Sequence, residues 1–180
     1  MTSAKDSHTN LPVQNIILDT NILQYSTSKG PKDQFIIYIS ELIERGFGLT
    51  ISEITVYELL AGLSSEKEKQ AIQTLEAFGR YKVEVDVFIG AAQLSTLYSM
   101  DKSVMDSGIS TGDRIIAASA ILTGSLILSS DVNDYPRPYF NEVEERLIYF
   151  KKKDRQHMIS TYLLAPNIPV INQKFNERPK

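Results

Sequence analysis

The stretch Asn15-Ile16-Ile17-Leu18-Asp19-Thr20-Asn21-Ile22-Leu23 governs the reading of the whole chain. Three consecutive aliphatic residues have strand character, and the run stops at an acid. Asp19, Thr20 and Asn21 are residue types that cap a helix, so Ile22 and Leu23 read as its first turn. A strand that passes directly into a capped helix is how an α/β chain begins, and the rest of the sequence continues the pattern.

After the Gly30-Pro31 break, Phe35, Ile36, Ile39, Leu42 and Ile43 recur at helical spacing and predict a helix ending at Gly46. Phe47 to Ile51 reads as a second strand, with Ser52 as N-cap of a helix carrying Val56, Leu59, Leu60 and Leu63. A charged helix follows, from about Glu66 to Phe78. The alternating Val83, Val85 and Val87 predict a third strand over Tyr81 to Val87, followed by a helix from Phe88 to Met100. Beyond a polar loop, a helix opens at Asp113 and stops at Gly124. Leu126-Ile127-Leu128 is a strand leading into Ser129-Ser130-Asp131, and Arg146 to Phe150 is a last core strand. Strands alternating with helices predict an α/β fold with a mostly parallel sheet. In such sheets, sites form beyond the carboxyl ends of the strands.

Composition limits the chemistry. The 180 residues suit one domain of ordinary apolar content, 42%. The absence of cysteine removes disulfides, thiolate metal sites and a cysteine nucleophile. With only His8 and His157, a histidine-rich metal site is excluded as well. No secretory or membrane segment is evident: the leader is polar, and the apolar run Ile115 to Leu128 is short of a span. A cytoplasmic location is expected. The net charge of −3 argues, at face value, against a nucleic-acid partner. That mean conceals an acidic body, with 12 Lys and Arg against 20 Asp and Glu in residues 1–150. Residues 151–180 carry 7 against 2. The chain thus divides into a polar leader (1–14), a folded domain (15–150) and a basic C-terminal extension (151–180).

Four acids stand out by position. Asp19 ends the first strand, Glu58 lies in the helix after the second, Asp113 opens a helix, and Asp131 follows the next strand. Each has a plain structural reading as a cap, a first-turn acid or a solvated residue. Together, carboxylates converging in a cleft stay ionised only beside a cation, and all-oxygen ligands select Mg²⁺ or Mn²⁺. Glu53, five positions from Glu58, lies about 140° away around a helix and points elsewhere. Asp86, Asp101 and Asp106 read as loop or solvated acids.

The spelling around these acids is specific. Ile17-Leu18-Asp19-Thr20-Asn21 comes first, then Ser52 ahead of Glu58-Leu59-Leu60-Ala61-Gly62. Next comes Asp113-Arg114-Ile115-Ile116-Ala117-Ala118-Ser119-Ala120, and finally Ser129-Ser130-Asp131 with Asp134-Tyr135. The four motifs, in this order from about Asn15 to Phe150, resemble the PIN-domain nucleases and especially their VapC-like toxin branch. The resemblance implies a three-layer α/β/α sandwich and a metal-dependent endoribonuclease. It places the metal-binding and catalytic acids on Asp19, Glu58, Asp113 and Asp131. Thr20, Asn21 and Ser52 would support the site, orienting waters or phosphate, and the departure from the family's usual last motif leaves a place for Asp134. It also implies Mg²⁺ or Mn²⁺, an RNA substrate, a small antitoxin partner and a homodimer. The alternatives are a catalytically inactive RNA- or protein-binding scaffold and an RNA-processing nuclease that is not a toxin. An aspartate-nucleophile phosphatase would need a second Asp at position 21, where Asn21 stands.

Overall fold

The computed structural model describes residues 14–61, 63–104 and 108–178. The leader up to residue 13, with His8, and also Asp106 lie outside the described residues. The elements run β1 (Asn15–Leu18), α1 (Thr20–Thr27), α2 (Lys32–Glu44), β2 (Gly48–Ser52), α3 (Glu53–Leu60) and α4 (Ser65–Leu75). They continue with β3 (Gly79–Tyr81), α5 (Val85–Met100), α6 (Thr111–Thr123), β4 (Leu126–Ser129), β5 (Phe140–Lys152), β6 (Arg155–Pro166) and α7 (Ile168–Asn176).

Among the described residues one six-stranded sheet forms, in the order β3-β2-β1-β4-β6-β5. The pairs β1–β2, β1–β4 and β2–β3 are parallel, whereas β6 is antiparallel to both β4 and β5. Five strands therefore run one way and β6 alone opposes them. The carboxyl ends of β1, β2 and β4 share one edge, where the helices that follow them begin.

Alternation along the central strands divides the core between two layers. Ile17, Ile127 and Leu164 face a cluster built with Leu94, Leu97, Ile116 and Ile171 of α5, α6 and α7. Ile16, Leu18, Leu126, Leu128 and Leu163 face a second cluster with Ile22, Phe35, Leu42 and Leu75 of α1, α2 and α4. All three aliphatic residues of β1 are fully buried, as a central strand covered on both faces requires. The result is the three-layer α/β/α sandwich.

Two expectations about individual elements change. The alternating valines after Tyr81 do not extend a strand: β3 stops at Tyr81, and Val85 already belongs to α5. Val87 is buried inside the helix, while Val85 is exposed. Period-two spacing over five residues also fits a helix that begins within the run. The second change concerns the C-terminal segment. The strand expected at Arg146 to Phe150 is the middle of a 13-residue strand, β5. Residues 155–166 form β6, inserted between β4 and β5, with Leu163 and Leu164 in the two core layers. A boundary at residue 150 thus falls inside β5. Surface charge on Lys151, Lys152, Lys153 and Arg155 conceals a strand whose apolar half, Thr161 to Leu164, lies in the sheet.

Candidate metal centre

Asp19 leaves β1 and caps α1, its Oδ1 accepting from the Thr20 amide at 2.6 Å. Its Oδ2 accepts from Asn21 Nδ2 at 2.8 Å and from the Ser129 hydroxyl at 2.6 Å. Asn21 spans the gap to β4, for its Oδ1 also accepts from the Ser130 amide at 3.0 Å. Adjacent parallel strands make this possible, because Leu18 and Leu128 are in register and deliver Asp19 and Ser129 to the same edge. Asp19 is 3% exposed. Burial above all, with Asp113 adding to it, pushes its pKa up to about 6 against the pull of Ser129 and Thr20.

Asp113 arrives from the other core layer. Ser110 caps α6 and Asp113 is its third residue, so the two form a reciprocal capping box. The Asp113 amide donates to Ser110 Oγ at 3.1 Å, and the Ser110 amide donates to Asp113 Oδ2 at 2.8 Å. The helix therefore starts at Thr111, two residues earlier than expected.

Asp134 completes the group. Carboxylate oxygens of Asp19, Asp113 and Asp134 lie within 4.8 Å of one another. Partial burial, then the charges of Asp113, Asp131, Asp19 and Glu58, push Asp134 up to about 7. Three carboxylates whose oxygens converge, two of them with raised pKa values, form an oxygen-only donor set. Such a set fits a divalent hard cation, which would relieve both the repulsion and the burial cost.

The other expected acids sit around this group. The Glu58 carboxylate accepts from the Thr20 hydroxyl, and it lies so close to Gly112 that a Cβ there would collide with it. Glu58 is thus held between the start of α1 and the start of α6, flanking the three acids. Asp131 is not one of the three converging acids, although its charge also pushes Asp134 up. The Asp131 Oδ1 accepts from the amide and the side-chain nitrogen of Asn133, both at 3.0 Å, capping a short turn over Val132–Asp134. That turn is what carries Asp134 inward. Ser52 is fully buried at the end of β2, and its hydroxyl makes no hydrogen bond among the described residues. Glu53 points elsewhere, as the helix angle requires, and accepts from the Val83 amide at 3.0 Å. Asp101 is more than a solvated acid, since it accepts from Ser103 and Tyr139 and pairs with Lys174 of α7 at 3.2 Å.

Sequence reasoning passed over Ser129 as a partner of Asp19. The available signal was its position, one residue beyond the apolar run of β4, as Asp19 is one residue beyond that of β1. Tyr135 was also unassigned; it is fully buried beside Asp19.

Comparison with solved structures gives the same architecture. VapBC2 from Rickettsia felis bound to a DNA fragment from their promoter matches with a TM-score of 0.57 at 23% identity, covering 69% of this chain and 94% of that one. DNA-bound VapBC from Salmonella typhimurium matches with a TM-score of 0.55 at 17% identity, over 69% and 92%. FitAcB from Neisseria gonorrhoeae matches with a TM-score of 0.53 at 23% identity, over 67% and 90%. No curated protein matches the chain by sequence. The family model for the PIN domain matches residues 16–140, which span β1 to the start of β5 and contain every acid of the site. The chain belongs to the PIN domain family.

Proposed function

We propose that this protein is a Mg²⁺- or Mn²⁺-dependent endoribonuclease, the toxin of a toxin–antitoxin pair acting in the cytoplasm. The observation that carries the reading is the convergence of Asp19, Asp113 and Asp134 at the carboxyl edge of a PIN-domain sheet. Asp19, Asp113 and Asp134 would hold the cation, with Glu58 beside them. When bound, such an ion lowers the pKa of water and offsets charge on a scissile phosphate.

The chain's own groups supply orientation. Thr20, Asn21 and Ser129 donate three hydrogen bonds to Asp19, so both of its oxygens are fixed before a ligand arrives. The capping box fixes Asp113, and Asp131 fixes the turn that presents Asp134. Thr20 orients Glu58, the acid left to receive or hold a proton at the rim. Asp134, pushed up to about 7, would be partly protonated near neutral pH and would be ionised when it holds a cation. An antitoxin partner belongs to the same proposal, supported by the likeness to the VapBC assemblies, and a homodimer accompanies it.

The test is cleavage of RNA by the purified protein with Mg²⁺ or Mn²⁺. Asp19→Asn and Asp113→Asn are expected to abolish it while circular dichroism stays unchanged. Full activity in either variant would overturn the assignment. Calorimetric Mn²⁺ titration provides an independent readout, and failure of the intact protein to bind Mn²⁺ would favour a non-catalytic scaffold.

A further inference from the structure

The β5–β6 hairpin lies beyond the residues matched by the family model. The family match ends at residue 140, and the Rickettsia felis structure is 94% covered while covering only 69% of this chain. In the sheet register Ser129, the last residue of β4, lies opposite Tyr162, and Tyr162 lies opposite Glu145. The hairpin continues from there to the Lys152–Arg155 pair. Seven further residues of strand carry it about 23 Å past the end of β4, on the edge that bears Asp19.

Its outer end is cationic. Lys151, Lys152, Lys153 and Arg155 are all exposed, and none makes an ion pair among the described residues. Asp154 is the only acid of the turn. The lower part of the hairpin is anchored: Ile148 and Ile159 pack into the α1–α2 layer, Arg146 pairs with Glu41 at 3.2 Å, and Glu144 pairs with Arg45 at 2.8 Å. The upper part rests on the turn after α1. Gly30, at φ +117°, lets that turn approach so closely that a Cβ would stand 3.1 Å from the Phe150 ring. Gly30, Asp33 and Gln34 line a cleft with Tyr149, Phe150 and Lys151, and the exposed Lys29 and Lys32 flank Gly30 along the chain.

The distance to the acids follows from the helix. Asp19 caps α1, and the eight residues of α1 place the Lys29 turn about 12 Å away. At about 3.4 Å per phosphate along one stacked strand, that separation is three or four phosphates. Aromatic surface is interleaved: Tyr149 is 49% exposed, and the rings of Phe150 and His157 stack at 5.4 Å. Clustered cations next to an exposed aromatic ring suit a polyanion with stacking bases rather than an acidic protein surface.

We infer that Lys29, Lys32, Lys151, Lys152, Lys153 and Arg155 form a binding strip for the RNA backbone several phosphates from the scissile bond. The inference rests on the nucleic-acid reading of the site and extends it to a length requirement for the substrate. Long RNAs engage strip and acids together; RNAs of a few nucleotides reach only the acids.

The experiment uses the full chain carrying Lys151→Gln, Lys152→Gln, Lys153→Gln and Arg155→Gln, its fold checked by circular dichroism. Affinity for an RNA of about 20 nucleotides is measured in EDTA, where no cleavage occurs, across a salt series. The expected result is a tenfold or greater loss of affinity, with the slope of log affinity on log salt reduced by about 2–3, at 0.7 per phosphate contact. With metal, the ratio of kcat/KM for that RNA over one of about four nucleotides falls by a similar factor. Unchanged affinity in EDTA overturns the strip, as does an altered oligomeric state with RNA binding intact, which would make the hairpin a protein interface. If the unmodified protein cleaves neither RNA but the variant loses affinity, the strip stands and the nuclease reading fails.

Discussion

Asp134 shows how one side chain's role depends on its neighbour's. Asp131 precedes it by three positions, and one oxygen of its carboxylate caps the turn between them. Asp134→Asn is therefore expected to abolish Mn²⁺ binding in calorimetry, and Asp131→Asn, which keeps an acceptor oxygen, to weaken it much less. Equal losses would return Asp131 to the ligand set. The same residues set a pH dependence. Asp19 and Asp134 have folded-state pKa values of about 6 and about 7, above the ordinary carboxylate value of 3.8. The folded state thus binds more protons than the unfolded chain between about pH 4 and 7. The stability these groups contribute is present below pH 4 and lost as pH rises through 6 and 7. Thermal melts in EDTA should show this contribution declining from pH 5 to 8. Added Mn²⁺ should raise the melting temperature more at pH 8 than at pH 5, since protons compete with it at the lower pH.

At the scale of elements, the site depends on helix starts. Gly112 in the first turn of α6 leaves room for Glu58 of α3, so the two helices approach through a missing Cβ. Gly112→Ala is expected to retain the fold, displace Glu58 and lower cleavage about tenfold or more, because small displacements at a reacting centre are costly. Activity equal to wild type would show Glu58 to be a bystander. Much of this was legible in advance. Asp19 and Ser52 announce the ends of β1 and β2, and Gly124, at φ +66°, closes α6 as expected. The capping box is not legible in the sequence, because Ser110 and Asp113 signal it only once the loop is known to end at Ser110. The valine alternation spans too few residues for its period to separate strand from helix.

At the scale of the whole molecule, the C-terminal segment belongs to the core. A chain truncated after Phe150 loses β6, whose Leu163 and Leu164 fill both layers. It should fail to fold, as measured by loss of cooperative melting. Ile148→Ala, at a buried position of β5, should cost about 2–5 kcal/mol in chemical denaturation while leaving the acids in place. Among the described residues no helix is long and apolar enough to cross a membrane.

By itself, the sequence determined the alternation of strands and helices, the two aliphatic strands at the centre, and the family. Each of these is written in residues close together along the chain, where capping preference and periodicity act. Tertiary structure alone decided which acids meet. Asp19, Asp113 and Asp134 come from three segments, and their convergence depends on the register of β1 with β4, on the start of α6, and on a turn closed by Asp131. It also decided that a basic segment ends in the middle of a sheet. Charge on the exposed half of a strand carries no information about the apolar half that the neighbouring strands bury.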